Sequence, residues 1–299
     1  MIPKYPAYTK ITKNLQPYVK KLTSQYPPYS DFSFVNLMSW DNNGEGQLSL
    51  LNDNLVIHYP DYVTGEHFIS FLGSSAVETT VRTLLDEAEN TTPERNLYLV
   101  PAVGALALQG SAAFEVNEDI DMNDYVISLP KLATLEGRDF RHFRRFVGAF
   151  MKESPNAQPK QLDLSDPETQ ESILKVFVER EEAKGGNDST YELQAMKKLL
   201  EDSGIYSLVA YGLEIDRQLK AFIICEIVDQ DWAIGHFWKA DISYSGIYSY
   251  LMHYTSEVLT QLGISKMNIQ QDLGLEGLRR FKNFMRPIAR LKKYTITDA

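Results

Sequence analysis

The chain has 299 residues, 43% of them hydrophobic, with a formal net charge of −10 and a pI near 5.1. That length and apolar content suffice for one large globular domain or two ordinary ones. The acidic balance argues against a general nucleic-acid or anionic-membrane binder, since both rest on a broad positive field, but it permits a small local basic site. The single cysteine, Cys225, lies in the apolar run AFIICEIV, so no internal disulfide is expected and the thiol reads as core. The opening MIPKYPAYTK has no long apolar stretch, and nowhere do about eighteen apolar residues run together. Neither a signal peptide nor a transmembrane helix is therefore expected, and the expected location is cytoplasmic, with peripheral attachment to a membrane surface as a variant.

In chain order, residues 46–60, GQLSLLNDNLVIHYP, predict a hairpin turning at Asn52, Asp53 and Asn54. EHFISFLG predicts a strand. SAVETTVRTLLDEAEN then places Val77, Val81, Leu84, Leu85 and Ala88 on one helical face, with Ser75 and Glu78 spaced as a capping box. NLYLVPA is a further strand. After the acidic VNEDIDMND the character changes, which sets a division into residues 1–122 and 123–299. YVISLPKL predicts a strand and LEGRDFRHFRRFVGAF a helix with a basic exterior. Two helices follow, DPETQESILKVFVEREEAK and TYELQAMKKLLEDS, separated by the break at residues 185–189. Three strands come next, YSLVAYGLEI, QLKAFIICEIV and WAIGHFWKA, with polar turns at Asp216-Arg217 and at residues 229–231. SGIYSYLMHYTSEVLTQLG is a helix closed by Gly263. The strand KMNIQQ, the helix LEGLRRFKNFM and a last strand, ARLKKYTI, complete the chain.

Helix, helix, three meandering strands, helix, strand, helix, strand resembles the GNAT (acyl-CoA N-acyltransferase) fold, in which a mixed sheet splits to admit an acyl donor. Three segments carry a narrower resemblance. Residues 124–146, DYVISLPKLATLEGRDFRHFRRF, are similar to the phosphatidylglycerol lysyltransferase C-terminal domain family. HFWKADISYSGIYSY has that family's Lys-Ala-Asp and Tyr-x-Gly-x-Tyr pattern, and NIQQDLGLEGLRRFKNFMRP its Asp-Leu-Gly, Gly-Leu-Arg and Lys-x-x-x-x-Pro spacing. The looser similarity runs from about residue 30 to the end. The resemblance implies an α/β (α+β) fold of two tandem GNAT-like domains with mixed sheets, the active groove lying in the second. It also implies transfer of an aminoacyl group from aminoacyl-tRNA to a lipid headgroup. The membrane-embedded part of the best-known members is not in this sequence, so a peptide or a small amine stands beside a lipid headgroup as acceptor. No tightly bound cofactor is expected.

Such a transfer needs alignment of donor and acceptor, removal of a proton from the nucleophile and stabilisation of a tetrahedral oxyanion. Asp272, where a strand gives way to a helix, is the candidate carboxylate; its structural alternative is a cap on the helix starting at Leu275. At about 100° per residue, Leu278, Phe281 and Met285 share a core face, while Arg279, Lys282 and Arg286 form a cationic stripe beside it. Arg279 and Arg286 are candidates for phosphates or the tRNA terminus, and Lys282 for a phosphate contact or the oxyanion. Cations bordering an apolar face also occur simply as stems laid over apolar surface. The basic residues of 138–145 and 279–293 are the surface on which a tRNA acceptor end would rest.

Acetyl-CoA users commonly carry Gln/Arg-x-x-Gly-x-Gly/Ala at the helix that cradles pyrophosphate. Here the aligned residues run from Ser243 through Gly246 to Tyr248, and a tyrosine replaces the second small residue. Gly246 is a donor-site candidate or simply a helix start. Lys239 is a candidate lining residue or a partner of Asp241. Tyr244 and Tyr248 are candidates for stacking or proton positioning, and the resemblance places Glu192 near an acceptor amine. No metal-ligand spacing involves the five histidines, and no nucleophile elbow occurs. Three readings follow: an aminoacyltransferase using aminoacyl-tRNA, an N-acyltransferase using acetyl-CoA or acyl-CoA, and a non-catalytic GNAT-like module that binds a ligand or protein. The transferred group, the acceptor and the oligomeric state stay open.

Overall fold

The computed structural model describes residues 1–61, 64–183, 185 and 190–299. They form two compact units. The first comprises Met1–Asp124, Gln271–Gly274 and Arg290–Ala299, and the second Tyr125–Gln270 and Leu275–Ala289. The sequence division at 122/123 follows chain order, whereas two short C-terminal stretches return to the first unit.

The first unit starts with β1 (Thr9–Lys10), α1 (Gln16–Thr23) and α2 (Phe34–Ser39), followed by β2 (Gln47–Leu51), β3 (Asn54–Pro60) and β4 (His67–Leu72). The four strands pair in chain order and antiparallel. Asn52 and Asp53 form the two-residue turn between β2 and β3, with φ of 52° and 63°. Positive φ at both positions matches the right-handed twist of the strands they join, and Asn and Asp tolerate it. Helix α3 (Val77–Thr91) buries Val77, Val81, Leu84, Leu85 and Ala88, as its spacing predicts. The capping box does not form. Ala76 is the N-cap, in the left-handed region at φ 44°, and no side chain caps the helix there. Instead Asn54 Nδ2 donates to the Ser75 carbonyl at 2.7 Å, so the turn is held by the neighbouring strand. Then come β5 (Leu97–Pro101), α4 (Ala102–Ala105) and β6 (Phe114–Glu118).

The second unit runs through β7 (Asp124–Ser128), α5 (Leu129–Thr134), α6 (Arg141–Glu153), β8 (Gln158–Leu162), α7 (Pro167–Ala183) and α8 (Thr190–Glu201). It continues with β9 (Leu208–Ile215), β10 (Gln218–Ile227), β11 (Trp232–Ala240), α9 (Ile247–Gln261), β12 (Lys266–Asn268) and α10 (Glu276–Phe284), and its last residue, Ala289, opens β13 (Ala289–Leu291). A seven-stranded sheet takes the order β13-β7-β12-β11-β10-β9-β8. From β8 to β11 the pairing is antiparallel, β11 and β12 are parallel, and β12 and β7 are antiparallel, which makes the sheet mixed. Its core gathers Ile127, Phe143, Phe150, Ile223, Cys225, Leu251 and Met267.

Three predicted elements differ in extent. YVISLPKL divides into β7 and α5, with Pro130 in the first helical turn, where its missing N–H costs nothing. The basic helix starts at Arg141, because Leu135 and Gly137 adopt positive φ and stop an earlier start. ARLKKYTI is two strands, β13 and β14 (Lys293–Asp298), and β14 lies between β5 and β6 in a three-stranded sheet of the first unit. Of the predicted break at 185–189, residues 186–189 lie outside the described residues.

Candidate active site

The second unit's site begins where two parallel strands part. β11 and β12 pair only at Trp232 with Lys266, Ala233 with Met267 and Ile234 with Asn268. Beyond Asn268 the β12 chain turns away, and the side chain of Gln270 substitutes for a strand, its Nε2 donating to the Gly235 carbonyl at 2.8 Å. On the far edge Asp241 N–H donates to the Lys220 carbonyl at 2.8 Å. Strand alternation therefore directs the backbone groups of Trp238 and Ala240 to the edge that β12 leaves. There Ala240 N–H meets the Tyr248 hydroxyl at 3.1 Å.

Gly246 positions that tyrosine. It is the N-cap of α9 at φ 80°, and a Cβ there would lie 2.4 Å from the Phe146 carbonyl oxygen. Both the backbone conformation and the close approach of α6 therefore require glycine. Tyr248, in the first turn, occupies the place a second small residue would leave open. Its hydroxyl accepts from Ala240 N–H and from Arg180 Nε at 3.3 Å, and its ring lies edge-on to Trp238 at 5.4 Å and Phe281 at 5.6 Å. Tyr244 is half-buried and packs against the same core.

Lys239, on the opposite face of β11 from Trp238, does not pair with Asp241. Its ammonium lies 3.1 Å from Glu181 and 2.8 Å from Glu192, over the Phe177 ring at 4.7 Å. Asp241 pairs with Lys220 at 3.6 Å. Burial alone would raise the Asp241 pKa, but the Ser243 hydroxyl and amide and the Lys220 charge outweigh it and hold the carboxyl below its ordinary value. Glu192, the expected acceptor-amine site, thus already holds an ammonium, that of Lys239. Arg180, Glu181, Phe177 and Trp238 were not singled out by sequence. In the run VEREEA, Arg180 and Glu181 carry the pattern of a solvated face, and only the fold distinguishes them.

The cationic stripe of α10 splits into three environments. Lys282 is 6% exposed, donates to the Ile269 carbonyl and stands 5.7 Å from the Tyr125 ring, so it latches α10 to the end of β12. Arg279 is half-buried. Arg286 lies beyond the helix in the left-handed region at φ 57°, with Nε donating to the Asp139 carbonyl at 3.1 Å. Helical periodicity sets no direction past the last turn, which is why extrapolation misplaced it. Met285 is buried as expected, while Leu278 and Phe281 are half-buried.

Asp272 is fully buried in the first unit, in the returning segment Gln271–Gly274. Its Oδ1 accepts from Gly274 N–H at 2.9 Å, which closes the turn, and the N-cap of α10 is Leu275. The proposed basic surface loses members. Lys293 has no exposed area, and Arg144 donates to the Leu135 and Gly137 carbonyls.

The site therefore offers a strand edge that β12 leaves and side chains partly cap, a rigid aromatic cluster and fixed cations and carboxylates, which suit binding of an extended polar substrate. Among the described residues no group of three or more His, Cys, Asp or Glu is placed to hold a metal ion, and no helix is long and apolar enough to cross a membrane.

Solved structures share the fold. A conserved protein of unknown function from Bacteroides thetaiotaomicron superposes with a TM-score of 0.85 at 22% identity, covering 100% of both chains. L-PGS from Bacillus licheniformis gives 0.61 at 13% identity, covering 96% of this chain and 92% of the other. The C-terminal domain of a putative lysylphosphatidylglycerol synthetase from Agrobacterium fabrum gives 0.60 at 11% identity, covering 94% and 92%. No curated protein sequence matches the chain. The family described as phosphatidylglycerol lysyltransferase, C-terminal, matches residues 23–297. With its mixed, GNAT-like α/β architecture and a match over nearly its whole length, the chain belongs to the phosphatidylglycerol lysyltransferase C-terminal family.

Proposed function

We propose that the protein is an acyltransferase that moves an aminoacyl group from aminoacyl-tRNA to an amine or hydroxyl of a lipid headgroup, peptide or small molecule. The observation that carries this reading is Tyr248. Its hydroxyl is tied to Ala240 and Arg180 and its ring is packed on Trp238 and Phe281, in the first helical turn where CoA pyrophosphate would need open backbone amides. Family membership supports an aminoacyl donor instead. In this reading the donor lies along the edge of β11 that β12 leaves. Asp272 takes the nucleophile's proton, and Lys282, a cation, steadies the oxyanion. Arg279 and Arg286 hold phosphates of the tRNA end, Lys239 and Glu192 form one wall, and Tyr244 lies beside the first turn of α9. The CoA-dependent alternative draws support from the parted strands and from Gly246 at the start of α9.

The test incubates purified protein with labelled aminoacyl-tRNA or labelled acetyl-CoA, with cell extract as the acceptor source. Label moving from aminoacyl-tRNA supports the proposal, and label moving from CoA alone overturns it. Asp272→Asn combined with Arg279→Ala should abolish transfer; full transfer by that variant would remove both residues from the site.

A further inference from the structure

Among the described residues of the second unit, two buried side-chain N–H groups lack acceptors. Arg180 Nη1 and Trp238 Nε1 are both buried, and neither meets a hydrogen-bond partner. Arg180 stands in the last turn of α7 and donates through Nε to a neutral group, the Tyr248 hydroxyl, at 3.3 Å. Among the described residues its guanidinium has no ion pair. Glu181, its neighbour in sequence, and Glu192 both bind Lys239, at 3.1 and 2.8 Å. Trp238 packs on the same tyrosine, at 5.4 Å, and on Phe281, at 5.0 Å.

A buried donor without an acceptor forfeits its hydration with nothing in return, and such groups in folded proteins generally have an occupant or a task. Both side chains touch one tyrosine, Arg180 at its hydroxyl and Trp238 at its ring, and the two free N–H groups share a single chemical need. Each supplies an N–H to an oxygen, and the guanidinium adds a full positive charge and the planar fork that suits carboxylate and phosphate.

We propose that Arg180 and Trp238 form a receptor for a substrate oxyanion, a carboxylate or phosphate oxygen bound beside Tyr248. Both nitrogens are covered as the side chains now stand, so the oxyanion enters as Tyr248 and Phe281 give way. Its arrival supplies the missing acceptor. Charge-assisted hydrogen bonds of this kind are the strong class. This inference concerns binding alone and holds whether the acyl donor is tRNA or CoA.

The readout is the indole N–H resonance of Trp238 in a proton–nitrogen correlation spectrum. The chain has 3 tryptophans, so Trp238→Phe assigns the signal by its disappearance. The probes are inorganic phosphate and acetate, with chloride at matched ionic strength as the control. The Trp238 signal should move saturably with phosphate or acetate and stay fixed with chloride. The tighter of the two assigns the oxyanion to a phosphoester or to a carboxylate. Arg180→Gln should weaken the apparent affinity roughly tenfold or more, and Arg180→Lys, which keeps the charge without the fork, by a smaller factor. The lysine variant serves if the glutamine variant fails to fold. A Trp238 signal that ignores both probes, that follows chloride equally, or that responds with unchanged affinity in the folded Arg180 variants overturns the proposal.

Discussion

Lys293→Met is the most demanding test of how the first unit is held together. Lys293 has no exposed side-chain area. Its ammonium pairs with Asp31, lies 2.7 Å from Asp124 and donates to the Ser30 hydroxyl at 3.2 Å. Asp124 in turn accepts from the Ser30 amide and hydroxyl, each at 2.7 Å. Burial works against the ammonium, but the Asp124 and Asp31 charges outweigh it and raise the Lys293 pKa. For Asp31 burial wins, and its pKa is raised although Lys293 pulls it down. Replacing the lysine with an apolar side chain leaves two buried carboxylates facing each other. Breaking one partner from a buried ionic group costs roughly 3–5 kcal/mol. At an m value of about 2 kcal/mol/M, that lowers the urea midpoint by about 1.5–2.5 M. Trp40 reports on the first unit, and Trp232 and Trp238 on the second, so the Trp40 transition should move. The pH dependence fixes the cause. Without the cation the Asp31 pKa rises further, and a group with a raised folded pKa lends stability at low pH that is lost as pH rises through that value. The variant's deficit should therefore be smaller near pH 5 than near pH 8 by about 1 kcal/mol or more. A loss under about 1 kcal/mol, or one equal at both pH values, would refute the reasoning.

Cys225 gives a second pH test. Burial pushes its thiol up to about 12 from 9.0, so the folded state loses relative stability as pH rises from 9.0 towards 12. At pH 10 this amounts to about 1.4 kcal/mol, and Cys225→Ala should flatten the alkaline slope by that amount; identical slopes would contradict the burial. Gly246→Ala should cost about 2 kcal/mol or more, since it combines φ 80° with a 2.4 Å clash. Gly263→Ala, at φ 90° but facing open space, should cost only about 1 kcal/mol in the same denaturation assay. Tyr248→Phe removes the acceptor of two donors, Ala240 N–H and Arg180 Nε, and should cost about 1–3 kcal/mol without unfolding the aromatic cluster. A thermal midpoint equal to that of the parent protein would show those bonds to be idle.

Local chemistry was legible in the sequence where neighbours in the chain are also neighbours in space. Asn52-Asp53 announced its turn, and the spacing of Val77, Val81, Leu84, Leu85 and Ala88 announced the buried face of α3. The meander from β9 to β11 could be followed because each connection is a short polar turn. The misplaced features depend on distant partners. Ser75 has the spacing of a cap, but Asn54, 21 residues earlier, binds its carbonyl and sets the geometry. Lys292 and Lys293 are adjacent and identical in type, yet one pairs at the surface with Glu118 at 2.7 Å and the other is sealed in the core. Nothing within a window of ten residues separates them, because the partners of Lys293 lie 169 and 263 residues away. Arg180 and Glu181 escaped notice for the same reason: α7 turns them towards Tyr248 and Lys239, which come some sixty residues later.

The position of β14 has a consequence for the order in which the protein can be made. A ribosome delivers residues 1–124 first, with every strand of the four-stranded sheet and with β5 and β6. β5 and β6 have no partner in their own sheet until β14 arrives between them. That strand is residues 293–298, and it opens with the lysine that neutralises Asp31 and Asp124. Throughout synthesis the early half therefore carries an unfilled slot flanked by two strand edges and lined by uncompensated acids, and such edges invite mispairing. The unit that begins first closes last, and its three-stranded sheet cannot form before β14 has been made.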